Sequence, residues 1–212
     1  MPAPHRPLPR QVAGEQMQVL TEVLRDDVNL AVWQRRLEPR VASFAAQLLA
    51  TGAPLAHSLT LELAAEDAEP DLRGLLAGFD ELPGCQAFHA DVAWLVRAYA
   101  CLLDARLIGL RLRALDRAMC PRFHVDRVPL RLVTSYAGGG SQWLKEGVLP
   151  REGLDQAAAE GQVAPIEQLE NGHVALLKGE GWLGNEGRGL IHRSPQPVPG
   201  QRRLLLTLDW LE

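Results

Sequence analysis

Near residue 106 the spacing of apolar residues changes from about 3.6 to 2, and that switch sets the outline of any fold the chain can adopt. Upstream, Phe88, Val92, Leu95, Val96, Tyr99 and Leu103 share one stripe, which predicts a strong helix from about Ala87 to Asp104. Downstream, "RLIGLRLRA" (106–114) alternates, with Ile108, Leu110 and Leu112 expected inward and Arg111 and Arg113 outward. "VPLRLVTSY" (128–136), "HVALLK" (173–178), "GLIHR" (189–193) and "RRLLLTLDW" (202–210) read as further strands. Glycine and proline clusters such as "AGGG" (137–140) and "SPQPVPG" (194–200) punctuate them.

The first half reads as mainly helical. Val12, Val19, Leu20, Val23 and Leu24 repeat at helical spacing, as do Leu30, Val32, Trp33 and Leu37. Pro39 is expected to open a further helix running through Phe44 to Leu49. "SLTLELA" (58–64) alternates as a strand would, whereas 150–170 fits either a helix or a surface insertion. Helices followed by many short strands imply an α+β protein, a sandwich or barrel buttressed by helices. The expected organisation is a helical part, 1–105, packed on a β core, 106–212, within one structural domain.

Composition narrows the function classes. A net charge of −4 argues against a general nucleic-acid binder. No apolar run approaches the roughly 20 residues of a membrane helix, and the N-terminus lacks the apolar segment of a signal peptide, so a cytoplasmic protein is expected. Cys85, Cys101 and Cys120 are too few and too far apart for a disulfide framework or a Cys-x-x-Cys zinc site. One stretch departs from the overall charge: Arg106 to Arg131 holds seven arginines against Asp116 and Asp126. These are either solvated strand faces or a positive mouth for an acidic substrate or cosubstrate.

Two His-x-Asp pairs occur, His89/Asp91 and His124/Asp126. Residues i and i+2 of a helix lie about 200° apart around its axis, so the first pair points to opposite sides. In extended chain i and i+2 share a face, and Pro121 and Pro129 favour extended backbone around His124 and Asp126. His192, at the end of a short predicted strand, is the candidate third ligand. Two imidazoles and one carboxylate form the facial triad of non-haem Fe(II) sites, which leaves coordination positions open. If the strands flanking "SPQPVPG" pair as a hairpin, Arg202 or Arg203 lies near His192, ready to fork onto a carboxylate. Alternation places Arg203, Leu205 and Thr207 on one face, which makes Arg203 the better choice.

This constellation resembles the Fe(II)- and 2-oxoglutarate-dependent oxygenases. That resemblance implies a double-stranded β-helix (a jelly roll, cupin-like) with supporting helices. His124, Asp126 and His192 fall on its metal and catalytic positions, and Arg203 on the arginine that pairs with the far carboxylate of 2-oxoglutarate. "LVTSYAGGGSQWL" resembles the strand and glycine turn after the first ligands, where Tyr136 would reach the cosubstrate. Leu205 stands where that superfamily often has Ser or Thr. At closer range "CPRFHVDRVPLRL", "VALLKG" and "HRSP…RLLLTLD" resemble a bacterial domain-of-unknown-function family, number 1826. The implied function is hydroxylation of a small-molecule or peptide substrate. The alternative is a non-enzymatic zinc-binding jelly roll linked to metal homeostasis, with Cys120 as a soft extra ligand. Arg131 and His173 stand as candidates for the surroundings of the site.

Overall fold

The computed structural model describes residues 6–64, 68–149, 151 and 165–211. Seven strands form the larger sheet: β1 (Arg10–Gly14), β2 (Val28–Trp33), β3 (Ala56–Glu62), β4 (Leu107–Leu115), β5 (Leu130–Ala137), β8 (Val174–Lys178) and β10 (Arg203–Leu211). Their order is β1-β2-β8-β5-β10-β4-β3, antiparallel except for β1 against β2. A smaller antiparallel sheet, ordered β7-β6-β9, comprises β6 (Gln142–Leu144), β7 (Ile166–Gln168) and β9 (His192–Arg193).

The larger sheet is covered on both faces. Helices α1 (Pro39–Ala50) and α2 (Cys85–Leu103) pack on one face, with Phe44, Phe88 and Tyr136 stacked at centroid distances of 4.9 and 4.4 Å. On the other face Leu30, Val32, Val133, Ala175, Leu177 and Leu205 meet Trp143 of the smaller sheet. Strands buried on both sides favour apolar residues at successive positions, hence the runs "LAVW" (30–33) in β2 and "VALL" (174–177) in β8. Pro39 takes the first helical turn of α1, where its missing N–H costs nothing. Asp104 ends α2 in the left-handed region, at φ 48°, its N–H closing onto Ala100.

The helical reading of residues 12–37 is corrected. Met17–Leu24 form a 3-10 helix, but Val12 lies in β1 and Leu30, Val32 and Trp33 in β2. A short run buried on both faces has no polar face, so its apolar spacing does not separate strand from helix. Of the 150–170 stretch, residues 150 and 152–164 lie outside the described residues, and Ile166–Gln168 form a strand.

The expected hairpin across "SPQPVPG" is also corrected. β9 pairs with β6, whereas β10 pairs with β4 and β5, so the proline-rich loop carries the chain from one sheet to the other. At the start of β10 the backbone presses against the glycine turn. A Cβ on Gly138, which has φ +81°, would lie 2.5 Å from Arg202 O and 2.7 Å from Arg203 Cα.

Candidate metal centre

His124 and His192 are joined through their backbones. Each N–H donates to the other's carbonyl over 3.0 Å, an antiparallel bridge that brings the ring centroids to 4.6 Å. Asp126 follows two residues on. Its Oδ1 lies 3.7 Å from His124 Nε2 and its Oδ2 3.5 Å from His192 Nε2. One ligand atom from each of the three lies within 4.8 Å of the others.

Both rings are oriented for ligation. His124 Nδ1 faces Arg122 O at 3.0 Å, and His192 Nδ1 faces Leu190 O at 3.1 Å. A carbonyl only accepts, so each Nδ1 carries the hydrogen, which leaves Nε2 as the atom that can ligate a metal. Burial pushes the Asp126 carboxyl up, but His124, His192 and Arg131 outweigh it and hold the group at about 2. The Asp126 carboxylate raises His124, whereas burial lowers His192. Among the described residues this is the group of His, Cys, Asp and Glu that converges in this way, and the donor set fits a divalent transition metal.

A second layer of charge fixes the carboxylate. Arg131 donates from Nη1 to Asp126 Oδ2 at 2.7 Å, and from Nε and Nη2 to Asp209 at 2.6 and 3.1 Å. Asp209 also pairs with Arg111. Sequence reading reached Arg131 but missed Asp209, although alternation from Arg203 through Leu205 and Thr207 places it on the same face.

Arg203 is buried at 4% exposure, donating to Ser135 Oγ at 3.0 Å and Ser141 Oγ at 2.8 Å. Among the described residues its partners include no carboxylate, and burial brings its pKa down to about 10. Ser141 lines a cavity of about 270 Å³ together with His124, His192, Val133, Leu205 and Thr207. Arg203 itself lies behind Ser141, on the wall of a neighbouring cavity of about 310 Å³. Arg202 turns the other way and donates to Leu49 O in the last turn of α1 and to Ala53 O just beyond it.

Some of the remaining expectations hold and others change. The structure does not bring Tyr136 to the cavity: its hydroxyl donates to Asp91 Oδ2 at 2.7 Å on the helix side, because Ser135 and Tyr136 alternate across β5. Asp91 is also forked by Arg35 at 2.7 and 2.9 Å, while His89 faces Leu72 O, so that His-x-Asp pair does diverge. Arg111 and Arg113 do lie opposite Leu110 and Leu112, and their face lines the cavity, as the positive-mouth reading has it, with Arg111 still exposed. Cys120 lines the same cavity but does not join the close group of ligand atoms. His173 Nδ1 accepts from the Glu170 N–H, outside the cavity lining.

Residues 14–209 match the family model described as "Protein of unknown function (DUF1826)", and the chain belongs to that family. A search of curated proteins found no match. Among solved structures, the crystal structure of a dioxygenase for auxin oxidation in rice shares 16% identity over 97% of this chain and 83% of that one, with a TM-score of 0.50. A prolyl-4-hydroxylase from Pseudomonas putida matches at 13% identity over 92% of this chain and 98% of that one, with a TM-score of 0.45. The auxin-oxidising dioxygenase of Arabidopsis thaliana, in complex with 2-oxoglutarate, matches at 11% identity over 96% and 92%, with a TM-score of 0.48. The likeness to the rice protein is one of fold: α+β, with two facing sheets. Among the described residues no helix is long and apolar enough to cross a membrane.

Proposed function

We propose that the chain is an Fe(II)- and 2-oxoglutarate-dependent oxygenase built on a double-stranded β-helix. The observation that carries this reading is the convergence of two imidazole Nε2 atoms and one carboxylate within 4.8 Å at the wall of a cavity. The rice dioxygenase, which shares the fold, supports the same class of chemistry.

His124, Asp126 and His192 would hold the metal, and three protein donors on one side leave positions for a cosubstrate and O₂. Bound Fe(II) with 2-oxoglutarate supplies oxidation of a C–H bond by O₂, releasing succinate and CO₂. The protein's part is binding and exclusion of water. Arg203, a buried guanidinium whose recorded partners are two serine hydroxyls, offers its fork to the far carboxylate of the cosubstrate. Ser135 and Ser141 hold that fork in place, the hydroxyl role for which Leu205 is unsuited. Val133, Leu177 and Leu205 give the cavity an apolar wall that keeps water from the reacting atoms. A closed zinc site would call for a fourth donor, and the position of Cys120 outside the ligand group favours the open-site reading.

The test is binding and turnover together. Anaerobic protein should take up Fe(II) and then 2-oxoglutarate, and admission of O₂ should give Fe(II)-dependent succinate. His124→Ala should lose the metal, and Arg203→Met should lose 2-oxoglutarate affinity while keeping the metal. Metal-loaded protein that does not bind 2-oxoglutarate overturns the reading.

A further inference from the structure

The cavity beside the triad carries more positive charge than its own carboxylates neutralise. Arg111, Arg113, Arg131 and Arg193 all line it. Asp209 engages Arg111 and Arg131, and Asp126 engages Arg131 as well. Arg113 and Arg193 have no carboxylate partner among the described residues. Arg113, on β4, donates to His57 O, to Leu112 O at 3.1 Å and to Ser58 Oγ at 2.7 Å. Arg193, on β9, donates from Nε to Gln142 Oε1 at 2.8 Å, and its guanidinium lies 4.3 Å over the Phe123 ring. These contacts aim both guanidiniums without neutralising either.

The two residues come from opposite sheets, so they meet whatever enters the cavity from two sides. Burial, with the charge of Arg111 added, disfavours the cationic form of Arg113. A ligand without negative charge would leave that cost in place, and a divalent metal on the triad would add to it. An oxyanion relieves it. The cosubstrate does not need this pair, because Arg203 is the partner assigned to its far carboxylate. At about 270 Å³ the cavity lies just below the usual range of ligand pockets, which limits what it admits to a small molecule.

We propose that Arg113 and Arg193 form an anion clamp for the primary substrate, a small molecule carrying a carboxylate or phosphate group. This assignment rests on the oxygenase reading above, in which the triad and Arg203 serve the metal and 2-oxoglutarate. Arg113 fixes one side of the acidic group, Arg193 the other, and the rest of the substrate turns its reacting carbon towards the triad.

Calorimetry with two probes tests it, using full-length protein loaded with Mn(II) and 2-oxoglutarate in the absence of O₂. The probes are inorganic phosphate and malonate, and whichever binds more tightly tells which acidic group the substrate carries. Arg113→Gln and Arg193→Gln should each weaken the preferred probe about tenfold or more, with 2-oxoglutarate affinity held within about twofold. Arg203→Met should do the reverse. Arg113→Lys, which keeps the charge and loses the fork, should fall between wild type and Arg113→Gln, and thermal melting confirms that each variant is folded.

Wild-type protein that binds Mn(II) and 2-oxoglutarate but neither probe overturns the clamp and leaves the oxygenase reading standing. Loss of 2-oxoglutarate affinity in Arg113→Gln and Arg193→Gln, with probe binding intact, also overturns it. If Mn(II) and 2-oxoglutarate do not bind at all, the oxygenase reading fails. The clamp then stands or falls on whether the unloaded protein binds a probe that both substitutions abolish.

Discussion

Arg131 grips Asp126 with one corner of its guanidinium, Nη1 to Oδ2 at 2.7 Å, while its other two nitrogens are committed to Asp209. The carboxylate between the two histidines is therefore held from behind by a cation that is itself held by a buried anion. Asp209 is 3% exposed, and Arg131 is the link between it and the metal-binding group. Only one oxygen of Asp126 is engaged this way, so Oδ1, on the His124 side, stays free to ligate.

Arg131→Leu should damage both stability and the site. It leaves Asp209 buried with Arg111 alone and removes the orienting contact from Asp126. Breaking a buried pair of this kind costs on the order of 3 kcal/mol, readable from urea unfolding. Loss of an outer partner of a ligand weakens metal binding by about 10- to 100-fold, readable by titration with Mn(II). Unchanged metal affinity would reduce Arg131 to a structural residue.

Metal affinity should fall as pH is lowered, and His124 should be the first donor lost. Its pKa is raised by Asp126, so it protonates ahead of His192, which burial holds neutral to lower pH. Each proton displaced by the metal changes apparent affinity about tenfold per pH unit. The slope should thus approach one proton just below the His124 pKa and steepen further down. Asp126, held at about 2, contributes nothing between pH 4 and pH 8, a window set only by that value. Mn(II) titrations across this range check the sign, and a flat profile would remove the histidines from the site.

Tyr136→Phe should leave metal content and 2-oxoglutarate affinity unchanged. Its hydroxyl serves Asp91 and, through it, Arg35, behind the larger sheet. The expected loss is about 2 kcal/mol of stability, from a hydrogen bond to a charged acceptor that is largely shielded from water. A marked fall in cosubstrate affinity with a normal unfolding curve would return Tyr136 to the site.

What the sequence made readable was local. His124 and Asp126 share a face because extended chain repeats every two residues, and the two-residue period of β10 likewise separated inward Arg203 from outward Arg202. Relations between distant strands were not readable. Asp209 meets Arg131 only because β10 pairs with β5, and Arg113 and Arg193 line one cavity only because a second sheet covers the first. Alternation also told that Arg111 and Arg113 avoid the helix core, but not that their face opens on a cavity. Tyr136 failed for the same reason: a strand covered on both sides has two buried faces, and composition does not say which one holds the site.

Arg203 should prove a residue kept at the expense of stability. Its guanidinium is 4% exposed, bonded to two hydroxyls, and lowered to about 10 by burial, and among the described residues no carboxylate neutralises it. A folded-state pKa below that of the unfolded chain means that the charged form is favoured less in the native state than in the unfolded chain. This penalty is fully present below about pH 10 and is relieved only as the pH rises from there towards the ordinary arginine range. Arg203→Met, similar in length and uncharged, removes the penalty at neutral pH. The ligand-free variant should accordingly melt at the same temperature as wild type or higher. The same substitution should weaken 2-oxoglutarate binding by about tenfold or more, since a charge-assisted fork onto a carboxylate is lost. Melting temperature and cosubstrate affinity should therefore move independently, or in opposite directions. If Arg203→Met instead lowers the melting temperature as far as Arg131→Leu does, and leaves 2-oxoglutarate affinity untouched, Arg203 is a structural cation and the cosubstrate must find its partner elsewhere.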